Sequence, residues 1–200
     1  MELLVTTLPL LNYIWANHFS SDIFFQKRLR LFPPLLMASS SSSSRNWSYD
    51  VFPSFSGEDV RKTFLSHFLR ELERKSIITF KDNEMERSQS IAPELVEAIK
   101  DSRIAVIVFS KNYASSSWCL NELLEIMRCN KYLGQQVIPV FYYLDPSHLR
   151  KQSGEFGEAF KKTCQNQTEE VKNQWKQALT DVSNILGYHS KNWYVFISLE

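Results

Sequence analysis

The chain of 200 residues suits one domain of ordinary size with tails, and its 44% of apolar and 14% of aromatic residues exclude wholesale disorder. Lys and Arg number 23, Asp and Glu number 22, and the formal net charge of +1 argues against binding to nucleic acid or an anionic membrane through bulk charge. The three cysteines lack the spacing of a zinc site, and their odd number does not suit a disulfide framework, so a reducing compartment fits best.

Residues 1–47 differ in composition from the rest of the chain. The apolar segment 3–15 is interrupted by Pro9 and Asn12, is too short for a membrane span, and lacks the basic segment that opens a secretory signal. Basic residues between 27 and 30 leave open an organelle transit peptide over residues 1–36. Met37, followed by Ala38 and six serines, favours a second translation start with a leader that we expect to be disordered.

Strand and helix signals alternate over residues 48–187, which we predict to form the folded domain. Strands are predicted at short apolar runs over 49–52, 77–80, 103–109 and 136–142. Helices are predicted where apolar residues repeat at three- and four-residue spacing, over 58–75, 91–102, 118–132, 156–163 and 171–186. A charged loop is predicted over 81–90 and a turn at 145–147.

This alternation predicts an α/β fold with a parallel sheet covered by helices on both faces. A flavodoxin-like, doubly wound sheet of about five strands is the natural topology. Pro139 has no amide hydrogen to donate, so its strand should lie near a sheet edge. Residues 188–200 form a C-terminal tail, in which the aromatic run 192–197 is either a short last strand or unstructured.

The segment 113–124, which follows the apolar strand 103–109, contains the main candidate site. Ligands of open α/β sheets bind outside the carboxyl ends of strands. Trp118 and Glu122 share a helix face there, where a carboxylate could stabilise a developing oxocarbenium ion and an indole could stack on a base or a cationic ring. Spacing alone favours a simpler role, in which Glu122 offsets the dipole at the helix N-terminus.

Other candidates have weaker support. No glycine is followed by Lys or spaced as G-x-G-x-x-G, so phosphate loops of those kinds are absent. Cys119 has no histidine nearby in sequence, and lone cysteines are mostly buried small apolar residues. Ser66 and His67 point about 100° apart on a helix, which favours a surface or interface role over a proton relay. The loop 81–90 is a solvated connection, a mobile loop at the rim of the site, or a surface that contacts partners.

At these residues the chain resembles a known family. The motifs agree in order with the plant Toll/interleukin-1 receptor (TIR) domain over roughly residues 48–187, and most resemble the amino-terminal domain of plant nucleotide-binding leucine-rich-repeat immune receptors. The matching motifs are Tyr49-Asp50-Val51-Phe52, Gly57-Glu58-Asp59, Thr63-Phe64-Leu65-Ser66-His67, Pro93-Glu94-Leu95, Val108-Phe109-Ser110, the segment 113–124, Pro139-Val140-Phe141-Tyr142 and Asp145-Pro146-Ser147.

The resemblance implies an enzyme with a flavodoxin-like sheet. Many plant members cleave NAD+ at the nicotinamide–ribose bond, as NAD+ glycohydrolases that make cyclised or ADP-ribosylated signalling nucleotides, with NAD+ as substrate and with no cofactor or metal. The family's catalytic glutamate falls on Glu122. The substrate-binding positions fall on Trp118, Phe55, Ser56, Gly57 and Asp82.

The resemblance also implies partners. Activity in the family requires association of TIR domains through the first and last helices, where Ser66 and His67 match the interface motif, and through a loop that here carries Arg87 and Ser88. The nucleotide products act on lipase-like immune signalling proteins. No membrane partner is expected and nucleic acid ranks last, while the expected location is the cytoplasm, with the nucleus as an additional one.

Two positions depart from the family pattern. The usual F-R-G-E-D has Ser56 in place of its arginine, so a basic residue near the substrate is missing, and the usual Arg-Gly of the loop is Arg87-Ser88. Three functions therefore stay open: an NAD+ hydrolase in plant defence, a non-catalytic adaptor or decoy that acts through TIR–TIR association, and, ranked third, an enzyme that hydrolyses or cyclises RNA or DNA. The chain itself is expected to be a TIR-only protein, a truncated splice product or a fragment.

Overall fold

The computed structural model of the chain describes residues 45–81 and 92–190, without the side chains of Glu58, Asp59, Lys62 and Thr63. The described residues from Trp47 onward lie in one compact unit. Most of the predicted leader, the loop residues Asp82, Arg87 and Ser88, and the aromatic run 192–197 lie outside the described residues, so the predictions made for them remain predictions.

A parallel sheet forms the centre of this unit. Its strands are β1 (Tyr49–Phe55), β2 (Ser102–Phe109), β3 (Gln136–Phe141) and β4 (Tyr188–His189), paired in that order and all parallel. Parallel neighbours need crossover connections, and helices supply them here. The predicted α/β fold with a parallel sheet is therefore confirmed, although the last strand lies beyond residue 187.

The predicted strand at 77–80 is reduced to a single bridge between Val51 and Thr79. The Ile78 carbonyl accepts from the amides of both Asp50 and Val51, at 2.7 and 3.1 Å, while the Asp50 carboxylate accepts from the Ile78 amide at 2.9 Å. The strand prediction was therefore wrong in extent, because a side chain competes with the ladder for backbone groups. Val51 also pairs with Ile104, so the bridge lies on the outer side of β1 and preserves the flavodoxin-like order.

The first predicted helix has an irregular centre. It consists of α1 (Gly57–Val60), a π-helical segment (Arg61–Leu65) and α2 (Ser66–Arg74), which follow one another directly. Phe64 and Phe68 are fully buried with their rings 5.5 Å apart. The apolar stripe read from the sequence therefore faces inward, but the backbone widens where Arg61 begins the π-helical turn.

The remaining α-helices are α3 (Pro93–Lys100), α4 (Ser117–Leu133), α5 (Pro146–Lys151), α6 (Gly154–Cys164) and α7 (Glu169–Val182), and a short 3-10 helix (Tyr113–Ser115) precedes α4. Helix α5 occupies the place where only a turn was predicted, because Asp145 caps it by accepting from the Ser147 amide at 2.8 Å and Pro146 fits its first turn. Trp175 of α7 donates to Asn121 of α4 at 2.9 Å, which joins these two helices.

Side chains of the sheet alternate between two buried faces. On one face the sheet residues share a core with α3, α4, α6 and α7; this core includes Phe52, Ala105, Ile107, Phe109, Leu95, Ile99, Leu120, Leu123, Phe160 and Leu179. The alternate sheet residues are also buried, as are apolar residues of the first helix; these are Val51, Ile104, Val106, Val108, Val60, Phe64, Phe68 and Leu72. The helical cover on both faces follows the prediction for apolar parallel strands.

Strand β3 lies near the edge, as Pro139 predicted. Pro139 pairs with Ile107 of β2, while the described part of β4 reaches β3 only at Val140 and Phe141. A Cβ atom on Gly187, just before β4, would lie 2.6 Å from the Pro139 carbonyl oxygen. Glycine therefore allows the chain to approach β3 closely enough for the last pairing.

Candidate functional site

The candidate site lies where β1 ends and where the chain leaves β2 for α4. The register aligns Ser54 with Ile107 and Phe55 with Val108, so both strands end at one edge of the sheet. Helix α4 begins at this edge because the Ser116 hydroxyl accepts from the Cys119 amide at 3.3 Å. This capped start places the first two turns of α4 beside the end of β1.

Trp118 and Glu122 contact each other directly on α4. The indole Nε1 of Trp118 donates to Glu122 Oε1 at 2.5 Å, and the two residues are only 3% and 6% exposed. The prediction that these two side chains share one face of the helix is therefore confirmed. The indole N–H group of Trp118 therefore orients the Glu122 carboxylate. The ring of Trp118 is buried.

The second oxygen of Glu122 is held from β1. Ser54 Oγ donates to Glu122 Oε2 at 2.6 Å and lies 2.9 Å from the hydroxyl of Tyr113. The Tyr113 hydroxyl in turn donates to the carbonyl of Cys119 at 3.0 Å. Donors from two elements therefore fix the carboxylate.

Ser54 and Tyr113 were not recognised as site residues from the sequence. Both are completely buried, and a serine inside an otherwise apolar strand near its carboxyl end is the signal that could have found the first of them. Burial, the nearby Cys119 and the Glu122 carboxylate raise the pKa of Tyr113 well above its ordinary value, against a smaller lowering by the Ser54 hydrogen bond. Tyr113 therefore remains a neutral donor at physiological pH.

Glu122 also lines a cleft of about 260 Å³. The cleft is bounded by the end of β1, the first helix and the start of α3; its other lining residues are Phe52, Pro53, Phe55, Arg61, Leu65, Ser66, Leu69, Phe80, Lys81 and Leu95. A buried carboxylate that reaches a partly apolar cleft is suited to binding one polar group of a ligand that the apolar walls shield from water.

The predicted site residues fall on different parts of this arrangement. Phe55 lines the cleft, Ser56 is buried directly before α1 without a side-chain capping bond, and Gly57 begins α1. The structure therefore brings these three close to the cleft that Glu122 lines. Trp118 lies behind Glu122 and is absent from the described lining.

The predicted interface pair is only partly at the surface. Ser66 is exposed and also lines the cleft, whereas His67 is half-buried and its Nδ1 has no hydrogen-bond partner among the described residues. Cys119 is buried, and its thiol lies 3.4 Å from the Phe55 carbonyl oxygen. This burial fits the structural role that was preferred for the cysteine over that of a nucleophile.

One lining residue, Arg61, was also missed by sequence reasoning. Its guanidinium carbon lies 5.4 Å from the centroid of the Phe55 ring.

Within residues 45–81 and 92–190, no group of three or more His, Cys, Asp and Glu side chains is arranged to hold a metal ion. None of the helices in those ranges is long and apolar enough to cross a membrane.

Comparison with known proteins identifies the family. The TIR domain profile matches residues 48–197. The chain is 72% identical over 158 residues to Disease resistance protein RPS6 of Arabidopsis thaliana, which covers 79% of this chain and 14% of that protein. It is 58% identical over 161 residues to Disease resistance-like protein DSC2 of the same plant, covering 80% of this chain and 13% of that protein.

A solved structure agrees with this match. The TIR domains of the activated Roq1 resistosome, which directly recognises the pathogen effector XopQ, superpose with a TM-score of 0.69 at 49% identity. The superposition covers 74% of this chain and 91% of that chain. The chain spans 14% of the length of RPS6, so the comparison concerns the TIR region alone. Profile, sequence identity and fold agree, and this chain belongs to the TIR domain family.

Proposed function

We propose that this TIR domain hydrolyses NAD+ at the nicotinamide–ribose bond, with Glu122 as the catalytic residue. The observation that carries the proposal is the Glu122 carboxylate, which is held at both oxygens by Trp118 and Ser54 and lines a cleft at the carboxyl edge of the sheet. The family resemblance supplies the substrate class, and the geometry supports it.

The chemistry requires a negative group beside the ribose. Nicotinamide leaves NAD+ as a neutral molecule and takes the bonding electrons, so positive charge develops on the ribose as in glycoside hydrolysis. The Glu122 carboxylate stabilises that charge and can accept a hydrogen bond from a ribose hydroxyl. Water then captures the sugar, and the overall reaction yields ADP-ribose, nicotinamide and one proton.

Ser54 and Trp118 act as positioning residues in this proposal. A carboxylate that is already oriented does not need to reorganise while charge develops on the ribose. The buried setting adds to the effect because charges interact more strongly where water is excluded. The Tyr113 hydroxyl, which lies 2.9 Å from Ser54 Oγ, helps to hold the serine side chain in this position.

We further propose a role in plant immune signalling. The relatives are disease resistance proteins, and the matched structural neighbour is part of an activated resistosome. In that setting the domain works in association with other TIR domains, through a face that includes Ser66 and His67. The nucleotide products would then reach lipase-like signalling proteins.

Glu122→Gln tests the activity, because it removes the charge and keeps the size of the side chain. We expect nicotinamide release by the full chain, concentrated or tethered to promote association, to fall at least about 100-fold. The measurement is chromatographic detection of nicotinamide after incubation with NAD+. The control is Glu158→Gln, an exposed residue of α6 that pairs with Lys161. A Glu122→Gln protein as fast as the wild type would end the proposal.

A second candidate is the non-catalytic adaptor, and Ser56 is the observation that favours it. This residue stands where relatives with the F-R-G-E-D motif have an arginine, so a cation is missing at that point of the sequence. Wild-type protein that associates with other TIR domains in sedimentation experiments but releases no nicotinamide when tethered would support the adaptor over the enzyme.

A further inference from the structure

Arg61 is placed to bring positive charge to the cleft that contains Glu122. It lines that cleft, and its guanidinium lies over the Phe55 ring at 5.4 Å. A Cβ atom on Gly57 would lie 3.2 Å from Arg61 Nε, so the arginine side chain passes across the bare backbone of the glycine. Both contacts hold the guanidinium beside the end of β1, next to Ser56.

The backbone around Arg61 is unusual as well. Arg61 is the first residue of the π-helical segment Arg61–Leu65, which interrupts the first helix. Insertions of this kind re-aim side chains and are found frequently at functional sites. Leu65 and Ser66, which end and follow the segment, also line the cleft. The irregular turn thus places several of its residues on the cleft wall.

The other side chains at the cleft are less suited than Arg61 to bind a phosphate. Glu122 would repel a phosphate, and Ser56 carries no charge. Lys81 is the other cation among the described lining residues, and its Nζ lies 3.3 Å from Glu73 Oε1. Arginine is also better suited than lysine to phosphate oxygens, because its planar guanidinium can donate two parallel hydrogen bonds.

We propose that Arg61 binds the diphosphate of NAD+ and supplies the cation that Ser56 does not. This inference rests on the proposed function, since the diphosphate belongs to that substrate. Glu122 acts at the ribose next to nicotinamide, whereas Arg61 acts on the linkage to the adenosine half. Arg61 is thus a substrate-binding and specificity residue, and it takes no part in bond cleavage.

A comparison of two substrates distinguishes loss of phosphate binding from a general disruption of the cleft. Nicotinamide riboside contains the same scissile bond as NAD+ but has no phosphate. For NAD+, Arg61→Gln should raise KM about 10- to 100-fold, the effect of losing hydrogen bonds to a charged group, with a much smaller change in kcat. For nicotinamide riboside, KM should change far less. The KM of Arg61→Lys for NAD+ should lie between those of Arg61→Gln and the wild type, because lysine keeps the positive charge but lacks the planar guanidinium.

The control for this series is Arg74→Gln, an exposed arginine of the same helix that pairs with Glu71. It should match the wild type with both substrates. An unchanged KM for NAD+ in Arg61→Gln, or an equal loss with both substrates, overturns the proposal.

A binding measurement keeps the test independent of turnover. Calorimetric titration with ADP-ribose should show affinity at least about tenfold weaker for Arg61→Gln than for the wild type, and a wild-type affinity that decreases with salt. If the wild type cleaves neither substrate but Arg61→Gln loses affinity for ADP-ribose, the proposed hydrolysis fails and the subsite stands. Equal affinity in both proteins, or no binding by the wild type, overturns the subsite.

Discussion

The carboxylate of Glu122 depends on residues from two different elements. Trp118 comes from its own helix, whereas Ser54 comes from β1 and is 68 residues away along the chain. The Tyr113 hydroxyl lies 2.9 Å from Ser54 Oγ and donates to the Cys119 carbonyl. At the residue scale, the geometry of the site is therefore a property of a small buried network.

Replacement of Ser54 by alanine should lower kcat while the protein stays folded. We expect kcat for NAD+ to fall about 10- to 100-fold, because one charge-assisted hydrogen bond to Glu122 is lost, while KM changes little. Steady-state kinetics of nicotinamide release measure the effect, and urea unfolding checks the fold.

Tyr113→Phe is the matched variant for Ser54→Ala. It removes the hydroxyl that contacts Ser54 but keeps both the aromatic ring and the hydrogen bond from Ser54 to Glu122. Its loss in kcat should therefore be smaller than that of Ser54→Ala. An equal or larger loss would show that the tyrosine itself, and not the serine, controls the carboxylate.

At the scale of elements, local irregularities decide which residues reach the cleft. The π-helical turn at Arg61–Leu65 interrupts an otherwise regular apolar stripe and places Arg61 and Leu65 on the cleft wall. The segment 77–80 has the composition of a strand, yet it forms only one bridge to β1 because the Ile78 amide donates to the Asp50 carboxylate. Composition predicted both elements in outline, and side-chain contacts altered their detail.

The junction of α5 and α6 offers a test at this scale. A Cβ atom on Gly157 would lie 2.1 Å from the Gln152 carbonyl oxygen, a backbone atom that cannot move aside alone. Gly157→Ala should therefore lower the free energy of unfolding by roughly 2–4 kcal/mol, although alanine is the better helix former. Urea denaturation measures it.

The control for the glycine is Lys161→Ala, an exposed residue of the same helix. This variant should stay within about 0.5 kcal/mol of the wild type, as surface substitutions usually do. Equal stability of Gly157→Ala and the wild type would mean that the two helices can separate at no cost.

At the scale of the whole molecule, all three thiols are buried in the folded unit. Burial, and then the Glu125 carboxylate, raise the pKa of Cys129 to about 11. The folded state therefore holds this proton more tightly than the unfolded chain, in which a thiol has a pKa of roughly 8.5. The stability that Cys129 contributes is present below the unfolded value and is lost as the pH rises toward about 11.

Thiol labelling makes this measurable. At pH 8, Cys129 in the folded protein should react with a disulfide reagent more than about 100-fold slower than in urea, because access is blocked and the thiolate is scarce. Peptide mapping by mass spectrometry identifies the labelled residue. Rapid labelling of Cys129 without unfolding would contradict the buried setting.

The sequence by itself determined the class of the fold and the shared helix face of Trp118 and Glu122. Apolar runs alternating with amphipathic stripes predict a parallel α/β sheet, because each element must bury its apolar surface and the two periods are local properties of the chain. The spacing of Trp118 and Glu122 is local as well, and so their contact was predictable.

Only the tertiary structure decided what surrounds that pair. Ser54 meets Glu122 because the strands align in one register, and Arg61 reaches the cleft because the first helix packs beside Phe55 at the end of β1. The separation of 68 residues between Ser54 and Glu122 carries no periodic signal. These contacts depend on strand register, helix placement and side-chain competition, which are settled when the elements pack together.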